Sequence, residues 1–354
     1  MKGQQRMKRT SVTLADLAKQ LDLSAATVSR ALNGFPEVNA RTRARVEQAA
    51  ARLGYRPNVS AKSLVKGLVG AIGLVPRKEE QGFIDPLLAE FLDGATAITA
   101  KRGLQLSLLA PTVNDEPAAY RPAIAGNVVD AFIVSSPDVT DSRVDELIRT
   151  GFPFVLHGRT MADQPYWSYD IDNYDGFLRA ARLLQDYGHT RMAFLGGRAN
   201  ARFATDRLAG ARDALAEKGL TLPDENIRHG EMTEDLGYQA GRHYLALRSV
   251  QRPTAFLCLN IYVAMGLMRA GRGYGLRCPD DFSIIVHDDR APYLRAEFSD
   301  PPLTAVQSSI REAGVRVTEL VMELLESPQA PPRQVVAPVE LVLRASVARV
   351  SGDS

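Results

Sequence analysis

Only two cysteines, Cys258 and Cys278, occur in 354 residues, and neither has ligand partners at metal spacing. That is too few for a disulfide framework and predicts reduced, buried thiols in a cytoplasmic protein. Five histidines, His157, His189, His229, His243 and His287, form no HxxxH or similar cluster, so no metal and no cofactor is expected. No hydrophobic stretch approaches bilayer length, and the N-terminus is polar, which argues against both a membrane span and export. Signatures of catalysis are missing too. There is no Gly-x-Ser-x-Gly elbow and no lysine P-loop. Gly271, Gly273 and Gly275 lie between a helix candidate and a strand candidate, the wrong order for a dinucleotide site. An enzyme is not expected.

What the chain has is charge sorted by position. Up to Lys66 there are 13 Lys and Arg against 4 Asp and Glu, a net of +9, whereas the remainder carries 30 against 37, a net of −7. A nearly neutral total hides a basic head on an acidic body. Phosphate neutralisation supplies most of the affinity for DNA, and a head of this sign provides it.

Within that head, Val12 to Asn33 (VTLADLAKQLDLSAATVSRALN) predicts two short helices joined by a tight turn. Leu14, Leu17, Ala18 and Leu21 recur at helical spacing as one inward face. Thr13 and Ser24 stand where a hydroxyl caps a helix start. Leu23 and Val28 plug the corner, and Ala25, Ala26, Thr27, Ser29 and Arg30 face outward. A third helix is expected over Arg41 to Arg52, with Val46, Ala49, Ala50 and Leu53 as its apolar stripe. It completes a core that two helices are too small to build.

These residues carry a resemblance. ATVSRALNG (Ala26 to Gly34), VNARTRARV (Val38 to Val46), LGYRPN (Leu53 to Asn58), AKSL (Ala61 to Leu64) and AIGLVP (Ala71 to Pro76) follow in the order and spacing of the N-terminus of LacI/GalR-family bacterial repressors. The likeness continues more loosely to the end of the chain. It implies that the Ser24 to Leu32 helix enters the major groove of double-stranded DNA. Ala25, Ala26 and Arg30 then fall where the family reads base edges. The Arg30 fork suits guanine O6 and N7, and the alanines offer apolar contact to a thymine methyl. Thr13, Thr27, Ser29, Asn33 and Tyr55 would hold phosphates, with helix capping as the alternative for the hydroxyls. Residues 58–67 resemble a hinge helix that forms only on DNA, since so short a helix is unstable alone. There Ala61 and Lys62 would contact DNA, and Leu64 would wedge between base pairs in the minor groove.

Beyond Lys66 the sequence alternates strand-like and helix-like segments. Val69 to Val75, Leu104 to Leu109, Val129 to Ser135 and Phe154 to His157 form one series of apolar runs. Arg191 to Leu195, Ile227 to Gly230, Ala255 to Leu259 and Phe282 to His287 form a second. Such alternation predicts parallel sheets covered by helices, and two series predict two lobes. The resemblance implies an α/β effector domain like periplasmic sugar-binding proteins, crossed three times by the chain. The expected organisation is a disordered basic tail (1–10), a helix-turn-helix domain (11–57), the hinge (58–67) and an effector and dimerisation domain (68–350). Within it, lobe 1 takes 68–162 and 292–326, and lobe 2 takes 163–291 and 327–350.

Ligands of parallel sheets bind beyond the carboxyl ends of the strands. The candidates there are Phe83, Asp85, Ser135, Ser136, His157, Arg159, Arg207, Asn260 and Asp288, with Tyr169 or Trp167 to stack on a sugar face. Arg207 lies in DRLAGARDAL, Asn260 follows AFLCL and Asp288 follows FSIIVH, positions where the family holds its effector. An arginine, an amide and an aspartate facing one cleft can clamp vicinal hydroxyls. The plainer alternative pairs Arg207 with Asp288 across an empty loop. His157 and His287 each follow a strand and are expected to meet in the cleft as hydrogen-bonding groups.

Several positions depart from the family pattern. Asn260-Ile261 replaces Asn-Asp, Val286-His287-Asp288-Asp289 replaces Gly-(Tyr/Phe)-Asp-Asp, Gly158-Arg159 replaces Asp-Arg, and Met232 stands for an aromatic. No particular sugar transfers by analogy, although GFPEVNA (Gly34 to Ala40) and APVELVLRAS (Ala337 to Ser346) lean toward members that respond to glucosides. The chain ends without a leucine heptad tail, so a homodimer is expected rather than a tetramer. The leading expectation is a cytoplasmic, nucleoid-associated repressor of sugar-uptake or catabolic genes, binding a palindromic operator and switched by a small-molecule effector. The alternative, a soluble sugar-binding component of a transporter, leaves the basic head unexplained.

Overall fold

The computed structural model describes residues 12–32, 35–53, 55, 68–77, 87–109 and 117–350. The chain divides into two compact units, Met1–Gly70 and Ala71–Ser354.

The first unit is helical. Its helices are α1 (Leu14–Leu21), α2 (Ala25–Leu32) and α3 (Ala40–Leu53). Asp22 ends α1 in the left-handed conformation (φ 54°), its N–H returning to the Ala18 and Lys19 carbonyls, and Leu23 N–H adds a bond to the Ala18 carbonyl (3.0 Å). This makes the tight turn that the sequence predicts. Leu17, Val28 and Val46, one from each helix, are fully buried, and Ala18, Ala31, Ala49 and Ala50 fill the space between them. Each large side chain so buried contributes roughly 1.5–3 kcal/mol. Asn39 Oδ1 accepts from Thr42 N–H (2.8 Å), so α3 begins one residue before the expected Arg41.

The second unit alternates strand and helix. In chain order the strands are β1 (Ala71–Leu74), β2 (Gln105–Leu108), β3 (Ala131–Ser135), β4 (Phe154–His157), β5 (Trp167–Ile171), β6 (Met192–Leu195), β7 (Ile227–Arg228), β8 (Ala255–Cys258), β9 (Ser283–Asp288), β10 (Thr304–Gln307), β11 (Gln334–Ala337) and β12 (Glu340–Val342). Between them lie α4 (Leu87–Arg102), α5 (Arg121–Ala125), α6 (Ser142–Thr150), α7 (Asn173–Asp186), α8 (Arg202–Ala216), α9 (Glu234–Leu245), α10 (Ile261–Gly273) and α11 (Ile310–Glu326).

Two six-stranded sheets result, in the orders β11-β5-β4-β3-β1-β2 and β12-β10-β9-β8-β6-β7. Pairing is parallel except between β10 and β12, with registers such as Ile72 to Ala131 and Leu257 to Ile285. β1, β6 and β8 are buried at every residue, because helices cover both faces of each sheet. Each lobe therefore has two apolar layers, one per face.

The lobes exchange chain later than the sequence suggests. The crossings expected near 162, 291 and 326 are corrected to 171–173, 307–310 and 337–340, since β5 and β11 join the first sheet and β10 the second. The reason is compositional: β5 reads WSYDI and β11 QVVA, without the continuous apolar run that marks a buried strand.

Helix pairs close the layers at glycines. A Cβ on Gly94 of α4 would meet the Arg311 carbonyl of α11 inside 3.0 Å, and one on Gly314 would meet Phe91 of α4. Gly237 of α9 and Gly266 of α10 approach each other's helix backbones in the same way. Only a residue without a side chain permits this contact.

Candidate nucleic-acid interface and ligand cleft

On the head, Ser24 Oγ accepts from Thr27 N–H (3.0 Å) and lies 2.8 Å from Thr27 Oγ1, capping α2. Thr13 and Asp16 form a reciprocal box, Asp16 N–H to Thr13 Oγ1 (3.2 Å) and Thr13 N–H to Asp16 Oδ2 (2.9 Å). Both hydroxyls therefore cap. Val28 and Ala31 point α2 into the core, which leaves Ala25, Ala26 and Arg30 exposed on its outer side. Thr27 and Ser29 are half-buried, and Tyr55 packs half-buried against the head's core. Asn33, Ala61, Lys62 and Leu64 lie outside the described residues, as do Phe83 and Asp85 of the second unit.

In the body, the carboxyl ends of both sheets border one cleft holding about 760 Å³ of non-atom space, part of it open to solvent. From the first lobe come Ser136 and Pro137 after β3, His157, Gly158 and Arg159 after β4, and Asp170 of β5. Gly158 has a positive φ of 113°, and a Cβ there would press on the Pro137 ring at 2.8 Å, so the turn requires glycine. Opposite stand Arg202, Phe203 and Arg207 of α8, then Met232, Leu259, His287 and Asp289.

Arg207 is the best-fixed group. Its Nε donates to Asn173 Oδ1 (2.8 Å) and its Nη1 to the Leu259 carbonyl (3.0 Å), while the guanidinium lies over the Phe177 and Phe203 rings. Burial lowers its pKa to about 10, opposed by Asp289 and Asp170, so it stays a cation at neutral pH. Burial pushes the Asp289 carboxyl up, yet His287, Arg207 and His157 outweigh it and hold the group below the usual carboxylate range. Arg159 Nε binds Asp170 (2.8 Å), and Asp206 takes both Arg159 Nη2 (3.3 Å) and Arg202 Nε (2.9 Å). Three arginines thus balance Asp170, Asp206 and Asp289, which suits a neutral polar ligand.

Of the expected cleft residues, Ser136, His157, Arg159 and Arg207 come together. The others do not. Ser135 ends its strand one residue short of the cleft and gives its carbonyl to Arg143 Nη2 (3.1 Å), while Ser136 lines the wall. Tyr169 packs in the apolar layer of the first lobe. Asn260 caps α10, its Oδ1 accepting from Val263 N–H (2.9 Å) and its Nδ2 donating to the Met232 carbonyl (2.8 Å), beside a smaller adjoining pocket. Asp288 is fully buried and accepts from Arg290 N–H (2.8 Å), Ala296 N–H (3.2 Å) and Gln307 Nε2 (2.9 Å). It neither lines the cleft nor pairs with Arg207. Its neighbour Asp289 lines the cleft instead, because side chains alternate across a strand and His287 and Asp289 share a face. That alternation was the available signal. Nothing in the sequence marked Asp170, Asn173 or Phe203.

Among the described residues no cluster of His, Cys, Asp and Glu is placed to hold a metal, and no helix is long and apolar enough to cross a membrane. A capped helical head with an exposed second helix, on a two-lobed α/β body with a polar cleft, defines a DNA-binding regulator with a ligand-binding domain.

Comparison agrees. The family model described as "Bacterial regulatory proteins, lacI family" matches residues 13–58, and "Periplasmic binding protein-like domain" matches 181–347. The chain is 39% identical to the HTH-type transcriptional regulator AglR of Rhizobium meliloti, over 95% of this chain and 94% of that one. A solved complex of the regulator CelR with cellobiose is 27% identical with a TM-score of 0.70, covering 95% of this chain and 99% of that one. The lac repressor dimer bound to operator and the anti-inducer ONPF is 25% identical with a TM-score of 0.79, covering 96% and 100%. The chain belongs to the LacI family of bacterial transcriptional regulators and is not an enzyme.

Proposed function

We propose that the chain is a sugar-responsive repressor that works at the nucleoid as a homodimer on a palindromic operator of sugar-uptake or catabolic genes. Arg30, Ala25 and Ala26 read bases in the major groove, and Thr13, Thr27, Ser29, Asn33 and Tyr55 hold phosphates. Residues 58–67 form the hinge, where Ala61 and Lys62 meet DNA and Leu64 enters the minor groove. A neutral sugar sits between the lobes against His157, Arg159, Arg207 and Asp289.

The observation that carries this reading is the charge-balanced cleft at the carboxyl ends of two sheets, with Arg159 held against Asp170 (2.8 Å) and Arg207 fixed by Asn173 and the Leu259 carbonyl. Cellobiose in the CelR complex and the operator under the lac repressor dimer support it as analogies. The test is a thermal-shift screen of the full chain over neutral mono- and disaccharides, followed by anisotropy titration of a palindromic operator from its own promoter. A sugar at a hundred times its Kd adds about 2.7 kcal/mol of stability. If no sugar shifts the melting point, and none alters operator affinity, the reading fails.

A further inference from the structure

One aromatic ring stands apart from the core of the head. Phe35, in the turn between α2 and α3, is 47% exposed, the one large apolar side chain so exposed among the described residues of the head. It takes no part in the cluster built on Leu17, Val28 and Val46. A single exposed aromatic is ordinary on a protein surface. What distinguishes this one is how it is held and what surrounds it.

Its backbone is braced on both sides. The Phe35 N–H returns to the Arg30 carbonyl (3.1 Å), a bond that closes α2 and sets the Phe35 side chain beside the last turn of the helix, toward Ser29 and Arg30. The Phe35 carbonyl accepts from Val38 N–H (3.2 Å) across a tight turn in which Pro36 fixes the second position, and from Arg43 Nη2 of α3 (2.9 Å). Val38 is itself buried in the core of the head. Val28 and Ala31 turn inward, so Phe35 prolongs the outward face of α2 past Arg30. The setting is cationic: residues 30–43 carry Arg30, Arg41 and Arg43 against Glu37 alone. An apolar ring held among arginines fits a polyanion that also offers apolar atoms. Duplex DNA offers one in its major groove, the C5-methyl of thymine.

We propose that Phe35 is a specificity-determining residue whose ring packs on a thymine methyl in the major groove, beside the base pair met by Arg30. This rests on the reading that places α2 in that groove, and it adds a base contact from outside the helix. Ala25 and Phe35 flank an eight-residue helix roughly 12 Å long, so the methyls they meet belong to different base pairs.

The test uses the full-length chain. Wild type selects its site from a random double-stranded library, and the selected duplex is remade with deoxyuridine for each thymine in turn, which removes the methyl and nothing else. Anisotropy titration then compares wild type, Phe35→Ala and Arg30→Ala. At one thymine per half-site, replacement in both half-sites is expected to weaken wild type about 15-fold, one buried methyl being worth about fourfold in each. Phe35→Ala should bind thymine and deoxyuridine duplexes alike at that position, keep any methyl dependence elsewhere, and melt with wild type because the ring lies outside the core. Wild type indifferent to every deoxyuridine overturns the proposal without recourse to a variant. So does a Phe35→Ala protein that retains the whole methyl dependence. Arg30→Ala separates the failures. Lost selectivity at Arg30 with none at Phe35 leaves α2 in the groove and removes Phe35 alone, whereas no loss at either position overturns the groove reading itself.

Discussion

Acid should weaken this fold through one histidine outside the cleft. His189 is almost fully buried between α7 and β6, with Nδ1 2.9 Å from Thr254 Oγ1 and Nε2 3.0 Å from Ser283 Oγ and 3.1 Å from the Ala348 carbonyl. A carbonyl only accepts, so the proton sits on Nε2 and Thr254 donates to Nδ1. The ring ties the segment near residue 348 to two loops of the second lobe. Burial without a carboxylate partner lowers its pKa from 6.5 to about 4. Because the folded value is depressed, the stabilisation is complete above the unfolded pKa and disappears as pH falls from 6.5 toward 4. The shift corresponds to about 3 kcal/mol in full, of which about 1 kcal/mol is lost by pH 5.5. The assay is urea unfolding of the full chain and of His189→Gln at pH 7.5 and 5.5, followed by fluorescence of Trp167, the single tryptophan, 5% exposed in the body. Other groups titrate alike in both proteins and cancel. Wild type is expected to lose about 1 kcal/mol more than the variant over that interval, and parallel pH profiles would refute the reasoning.

Three further outcomes follow from the geometry. Arg30→Ala should cost about 1–3 kcal/mol of operator affinity and relax sequence discrimination, with the salt slope nearly unchanged, read by anisotropy at several salt concentrations. Gly237→Ala drives a methyl into the Val263 backbone and should lower the melting temperature by several degrees, whereas Gly273→Ala, which meets nothing within 4 Å, should not. Arg198→Ala removes one partly exposed pair with Asp138 (2.7 Å) and should cost at most about 1 kcal/mol. Asp138→Ala should cost more, because Arg77, Arg198 and Asn200 all lose that acceptor; urea unfolding separates the two.

The head was legible because its information is local: caps at Thr13 and Ser24 and an apolar stripe at period 3.6 depend on residues three or four apart. The eight apolar runs of the body were legible for the same reason, becoming β1–β4 and β6–β9. Strands β5 and β10 were hidden because polar residues interrupt their apolar pattern (WSYDI, TAVQ), and β11 and β12 because they are edge strands whose side chains are largely exposed. The cleft was only partly readable. His157 follows from its place at the carboxyl end of a strand, and Arg207 from the DRLAGARDAL resemblance although it lies within α8 and not in a loop, but the exchange of Asp288 for Asp289 depends on strand phase. Asn260 and Tyr169 are diverted by a helix cap and an apolar layer that only tertiary packing reveals. Asp170 and Asn173 gain meaning from Arg159 and Arg207, which are distant in sequence.

On the proposed function, a sugar acts only through its difference in affinity between two arrangements of the lobes. Three short crossings join them, and each lobe is packed tightly by glycine contacts between its helices, so the crossings are where movement concentrates. The rim of the cleft already carries bonds between lobes. Val139 N–H reaches the Asn200 carbonyl (2.9 Å), Arg202 N–H reaches the Pro137 carbonyl (3.0 Å), and Asp138 and Arg159 pair with Arg198 and Asp206. These contacts favour the present arrangement with or without a ligand, and so set the starting population on which a sugar works. A full swing from 1:99 to 99:1 demands about 10⁴-fold discrimination. Weakening the rim at Asp138 should therefore change the apparent sugar affinity with no cleft contact altered. A variant with unchanged affinity would show that the rim does not bias the lobes.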